Sequence, residues 1–240
     1  MLHYASNLDP QIHLAFTSQA EGNLALHVND DPQLVRANRA RLEERIGVRS
    51  FSLTFMNQVH SATVLNAEQR AEQQGAESAA ATCDGLISPT GTTPLAVMVA
   101  DCLPVLLSDP VAGVVAAAHA GRQGLLAGVL QQTIAAMTEL GARPEQLEAS
   151  IGPSICGACY EVPAALREEA AALLPATWAH TSWGTPSLDL RAGAAAVLEA
   201  AGVPRASVDA EHPCTLEDER FYSYRRHPRT GRFAGVVRRA

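Results

Sequence analysis

Apolar positions along this chain recur at two spacings, helical and extended, that alternate from one end to the other. Over 33–46, Leu34, Leu42 and Ile46 share one face at helical spacing, and Asp31-Pro32 stands where a helix begins. Phe51 to Val59 reads as a strand running into Asn57-Gln58-Val59-His60. Leu95 to Val99 and Val105 to Leu107 are strand material closed by an Asp109-Pro110 turn, and Val111 to Ala118 is a third extended run. A helix over 122–140 is expected to stop at Gly141, a residue suited to a left-handed helix end. A strand at 147–151, helices at 163–174 and 190–201, and a final turn-and-strand segment complete the pattern. Residues 76–82 (AESAAAT) read as a surface loop. This alternation predicts an α/β or mixed α+β fold, with several buried strands flanked by helices.

The ends of these runs carry the candidate chemistry. His60 closes the run FMNQV, Cys102 stands where PLAVMVA stops, and His119 where VVAAA stops. If the strand ends converge, they bring together two imidazoles and one thiolate. That set suits zinc, and three protein ligands leave a fourth position open for water. The competing reading is an inert buried thiol and two hydrogen-bonded histidines; spacing does not choose between them. Cys156 and Cys159 form a C-x-x-C after Pro153, a faint echo of the zinc deaminase pattern. Gly121 stands where that pattern needs glutamate, so the better expectation is a packed turn with two reduced thiols. Asp84 and Asp101 are candidate proton carriers or partners for a ligating histidine, Asp84 equally a turn residue. Trp178 and Trp183 flank His180 in what reads as a loop.

Composition narrows the chemistry. The 240 residues carry 18 basic side chains, every one of them arginine, so no Schiff-base lysine, P-loop lysine or lysine general base exists. A net charge of −7 argues against nucleic acid or an anionic membrane as a partner. The longest apolar stretch, Leu95 to Ala118, is broken by Asp101, Pro104, Asp109 and Pro110, which a membrane span would not carry. The start lacks the pattern of a signal peptide, and five cysteines is an odd number, so reduced thiols in a cytoplasm are expected. Seven arginines and no acidic residue occupy 220–240. Arg225 or Arg226 is a candidate clamp for phosphate or carboxylate, with Arg238 and Arg239 expected to fray.

The segments NQVH (57–60), CDGLIS (83–88), LAVMVADCLPVLLSDP (95–110), AAHAGRQGLLAGV (117–129), IGPSICGACYEV (151–162) and FYSYRR (221–226) closely resemble the bacterial YfiH-like family. Its members were catalogued as multicopper polyphenol oxidases or laccase-domain proteins and later described as purine nucleoside phosphorylases. The match runs in order from about 22 to 237. The resemblance implies one YfiH-like domain over 1–240 and a catalytic zinc site of His60, Cys102 and His119. It also implies phosphorolysis of adenosine, inosine and S-methyl-5'-thioadenosine, with adenosine deamination. Nucleosides and phosphate would be the partners. One departure is present: the family's HAGWRG reads His119-Ala-Gly-Arg122-Gln123-Gly124 here, which leaves the ligands intact and replaces a neighbouring aromatic.

Two other functions compete. Some family members are associated with editing cell-wall precursors, so removal of a wrong amino acid from a nucleotide-linked muramyl group is the alternative, with Cys102 as nucleophile and His119 as its base. A copper oxidase is disfavoured, because the eight histidines include no H-x-H pair.

Overall fold

In the computed structural model of the chain, residues 1–5, 9–69 and 81–240 are described. Two six-stranded mixed sheets form the frame. The first runs, edge to edge, β1 (Leu2–Ala5), β2 (Ile12–Phe16), β14 (Phe233–Arg239), β7 (Leu95–Val99), β3 (Thr54–Asn57) and β5 (Ala81–Thr82). The second runs β13 (Val208–Asp209), β10 (Glu148–Ile151), β8 (Leu103–Ser108), β9 (Val115–Ala120), β6 (Gly85–Ser88) and β4 (Val64–Asn66). A small hairpin pairs β11 (Trp178–His180) with β12 (Pro186–Leu188).

The central strands are apolar at every position because both of their faces are covered. On β7, Leu95, Val97 and Val99 point into the layer between the sheets, while Ala96 and Met98 point the other way. On β9, Val115 and Ala117 face that shared layer, and Ala116, Ala118 and Ala120 face outward. Helix α1 (Pro32–Arg45) supplies Leu42 to the outer face of the first sheet. Against the outer face of the second lie α2 (Arg122–Leu126), α3 (Val129–Glu139), α4 (Ala164–Leu173) and α5 (Leu190–Ala200). Small residues let the two sheets approach. A methyl on Gly152 would lie 2.2 Å from the Phe16 ring, and one on Gly235 3.3 Å from Leu106 of the facing sheet.

Several expectations need correction. Helix α1 is capped by Asp31, whose carboxylate accepts from the Gln33 amide, but Leu34 is 49% exposed. Its buried face is Val35, Asn38, Leu42 and Glu43, and Glu43 is there because its carboxylate accepts from the Phe51 and Leu53 amides. The helix expected over 122–140 is two, divided at Gly128 with φ of 93°. The third extended run begins only at Val115, because the Asp109 carboxylate folds Val111 and Ala112 into a turn. Residues 76–80 of the expected loop lie outside the described residues, and Ala81–Thr82 is strand. Trp178–His180 is a strand, not a loop, and Arg167 stacks on Trp178 at 3.7 Å. The C-terminal arginines do not fray: β14 runs to Arg239, whose guanidinium pairs with Asp9 at 3.0 Å.

Candidate metal centre

The two sheets bring His60, Cys102 and His119 together at one end of the shared layer. His119 sits inside β9 opposite Pro104 of β8. Cys102 lies in the three-residue link between β7 and β8, after Asp101, which holds φ of 94°. His60 lies in the loop after β3 with φ of 63°. The three donor atoms are all within 4.8 Å of one another, and Cys102 Sγ stands 3.7 Å from His60 Nε2. A tetrahedral zinc with its usual bond lengths needs an N···S edge of about 3.5 Å, so little movement is required. The imidazoles meet edge to face at 4.7 Å.

Asp84 organises the group. Its buried carboxylate accepts from the backbone amides of Val59, His60 and Ser61, from Ser61 Oγ, and from His119 Nδ1 at 2.8 Å. One carboxylate therefore folds the His60 loop and sets the tautomer of His119, leaving Nε2 for the site. The strained backbone at His60 is held by this triple amide contact. Burial alone would raise the pKa of Asp84; bonds from His119 and Ser61 outweigh it and hold the carboxyl well below the usual range. Burial likewise disfavours the Cys102 thiolate, yet His119 and His60 bring its pKa down from 9.0 to about 6. Burial disfavours the His119 imidazolium, and Cys102 and Asp84 nonetheless raise it from 6.5 to about 9. Without a metal, each group therefore favours the charged form of the other.

The HAG glycine is part of the cradle. A Cβ on Gly121 would lie 2.6 Å from His60 Cδ2 and 3.0 Å from Cys102 Sγ. One on Gly124 would press on the Ser61 carbonyl at 3.0 Å. Two imidazoles, a thiolate and a carboxylate-fixed tautomer fit a borderline-soft divalent ion.

The other expected residues divide. Asp101 accepts from Thr215 Oγ1 at 2.6 Å and from the Arg225 amide at 2.7 Å, so it ties the 214–226 segment beside Cys102. Arg225 is exposed, donates to the Glu161 carbonyl, and lies over the Tyr160 ring at 5.1 Å. The Arg226 guanidinium is committed to the carbonyls of Thr215, Leu216 and Phe221, so it braces its own loop. Tyr160 feels the charges of Cys102, Arg122 and Arg225, and burial with the nearby Cys102 pushes its pKa up. Tyr160 and the full role of Asp84 escaped the sequence reading. Asp84 sits next to Gly85, which pairs with Ala118, and only that register puts it under His119.

Residues 15–240 match the family described as multi-copper polyphenol oxidoreductase laccase. The chain belongs to this family. It is 43% identical over 244 residues to a purine nucleoside phosphorylase of Streptomyces griseus, covering 98% of this chain and 97% of the relative. It is likewise 43% identical to a purine nucleoside phosphorylase of Corynebacterium glutamicum, covering 96% and 97%. YlmD of Geobacillus stearothermophilus superposes with a TM-score of 0.85 at 30% identity, over 98% of this chain and 94% of that one. The Neisseria meningitidis protein NMB0706 gives 0.82 at 33%, over 98% and 97%. The family's title and its members' names point to different chemistries. Among the described residues the two groups with a metal-binding donor set contain only two histidines, His60 and His119, too few for a multi-copper oxidase centre. No helix among the described residues is long and apolar enough to cross a membrane.

Proposed function

We propose that this chain is a zinc-dependent purine nucleoside phosphorylase that cleaves adenosine, inosine and S-methyl-5'-thioadenosine and also deaminates adenosine, as one catalytic domain over 1–240 in the cytoplasm. The observation that carries this is the convergence of His60, Cys102 and His119 over Asp84, in a chain so similar to proteins named for that activity.

His60, Cys102 and His119 would hold the ion, with Asp84 fixing the ring of His119. Zinc bound there supplies a Lewis acid and lowers the pKa of a coordinated water. In phosphorolysis a phosphate oxygen bonds to the ribose C1′ as the bond to the purine breaks. Arg225, over the Tyr160 ring, and Arg122, whose charge Tyr160 also feels, are suited to hold that phosphate, since a guanidinium presents several donors in one plane. Burial and the neighbouring Cys102 push the Tyr160 pKa up, against Arg122 and Arg225, so its phenol keeps its proton as a donor to phosphate or to the leaving purine.

The test is incubation of zinc-loaded protein with adenosine, with and without phosphate. Adenine and ribose 1-phosphate are expected with phosphate, and inosine without it. Absence of all three products defeats the proposal. One observation favours a second reading, hydrolytic editing of a nucleotide-linked muramyl amino acid: Cys102 is a thiolate beside His119, as a nucleophile and base would be. Zinc loss in Cys102→Ser argues for the ligand role and against that reading.

A further inference from the structure

A second cluster of metal-type donors stands apart from the His60 group. Cys156 and Cys159 lie on one tight turn, where the amides of Cys159 and Tyr160 both donate to the Cys156 carbonyl. Cys214 comes from a distant loop and is brought in by a bridge pairing it with Ser154. The Cys156 amide donates to Cys214 Sγ at 3.4 Å. Glu217 follows on the same turn, its amide donating to the Cys214 carbonyl. Three Sγ atoms and the Glu217 carboxylate lie within 4.8 Å of one another, and none of the three cysteines is in a disulfide. Where the sequence predicts a packed turn with two thiols, the fold adds a third thiol and a carboxylate.

We propose that Cys156, Cys159, Cys214 and Glu217 form a second, structural site for zinc or a similar borderline-soft divalent ion. The edge of a tetrahedral zinc–thiolate site is about 3.8 Å, so no ligand pair needs to close by more than about 1 Å. The C-x-x-C spacing is the usual chelating half of such sites. Four protein donors leave no open position, and Cys159 and Cys214 are buried, which suits holding structure together rather than activating water. Three thiolates and a carboxylate around a divalent ion leave a net negative charge, and a cation stands by. The Arg191 guanidinium, which feels the charges of Cys214 and Cys156, donates to the carbonyls of Ser154, His212 and Pro213. It braces the same two loops that the ion would join.

The location gives the site its purpose. Tyr160 follows Cys159 directly, and Thr215, next to Cys214, bonds to Asp101 beside Cys102. An ion here fixes the Tyr160 and Arg225 wall against the His60 centre without touching substrate.

Metal per chain, measured by mass spectrometry on reduced, zinc-reconstituted full-length protein, tests this. Two equivalents are expected in the wild type, one in Cys102→Ser, one in Cys159→Ser and none in the double variant. Cobalt substitution should show thiolate charge-transfer absorption that falls mostly with Cys159→Ser. If Cys159→Ser fails to fold, Glu217→Gln serves, since Glu217 is exposed; its metal should yield to a chelator about tenfold more readily. One equivalent in the wild type, removed by Cys102→Ser, would overturn the proposal. So would unchanged metal content in Cys159→Ser, unchanged chelator competition in Glu217→Gln, or a Cys156–Cys159 disulfide in the protein as purified.

Discussion

The His60–Cys102–His119 group and the Cys156–Cys159–Cys214–Glu217 group are neighbours, joined through Tyr160 and the Asp101–Thr215 bond, yet they are built in opposite ways. The first takes one side chain from each of three strand ends and sets them with a buried carboxylate below. The second takes two of its donors from one turn and two from another, with the Arg191 guanidinium bonding to the loops that carry them. The first has three donors and mixed chemistry, hence room for a reacting group. The second has four donors and only sulfur and oxygen, hence closure. Donor number and the polar group behind the donors distinguish the proposed working centre from the proposed brace.

Breaking each group should break different things. Cys102→Ser should lower kcat/KM for phosphorolysis by roughly a thousandfold, as loss of several kcal/mol of transition-state stabilisation implies. The same change removes a ligand bound to the folded state, so the melting temperature should fall, but by less than in Cys159→Ser. Cys159→Ser should show the reverse balance, with the larger effect on melting and a smaller loss of activity per folded molecule as the Tyr160 and Arg225 wall loosens. Equal effects in both assays for both variants would erase the distinction drawn above.

Asp84→Asn is the next largest. The amide keeps the shape but puts donors where Val59, His60 and Ser61 already donate. Metal affinity at the first centre should fall between about 10- and 100-fold, read by chelator competition. Unfolding free energy should drop by about 1–3 kcal/mol from the unsatisfied donors. Metal retention at the thiol cluster should not change.

Gly121→Ala sharpens the comparison further. The atoms nearest its methyl would be those of His60 and Cys102, so metal should weaken at that centre only, with the chain folded as before by circular dichroism.

The smallest effect is on pH response. In metal-free protein the Cys102 pKa is depressed to about 6, so alkylation of this thiol should stay fast down to that pH and slow below it. His119→Ala should move the midpoint up toward the ordinary thiol range. By linkage, the stability contributed by Cys102 is present above the unfolded value of 9.0 and is lost as pH falls through about 6. His119, raised to about 9, contributes fully below 6.5 and loses that contribution as pH rises through about 9. Burial and neighbouring sulfur instead push Cys159 up, so without metal it should resist alkylation at neutral pH.

Much of the fold was legible because burial on both faces leaves runs such as LAVMV and VAAAHA apolar without interruption. Helix α1 was placed within a residue or so by its Asp-Pro start, but its buried face was misread. Leu34 points outward and Glu43 inward, a choice made by the amides of Phe51 and Leu53. Arg225 and Arg226 looked alike as neighbours in SYRR, and the carbonyls that surround Arg226 distinguish them.

By itself the sequence determined that His60, Cys102 and His119 each end an apolar run and offer the donor types a divalent metal takes, since donor chemistry is a local property of the side chain. It also determined that any anion must be held by arginine, histidine or backbone amides, because no lysine is present. Only the tertiary structure decided that Asp84 lies under His119, that Gly121 leaves space for His60, and that Cys214 joins the C-x-x-C turn. Those are matters of strand register and loop contact between residues far apart in the chain, and spacing along a sequence carries no record of either.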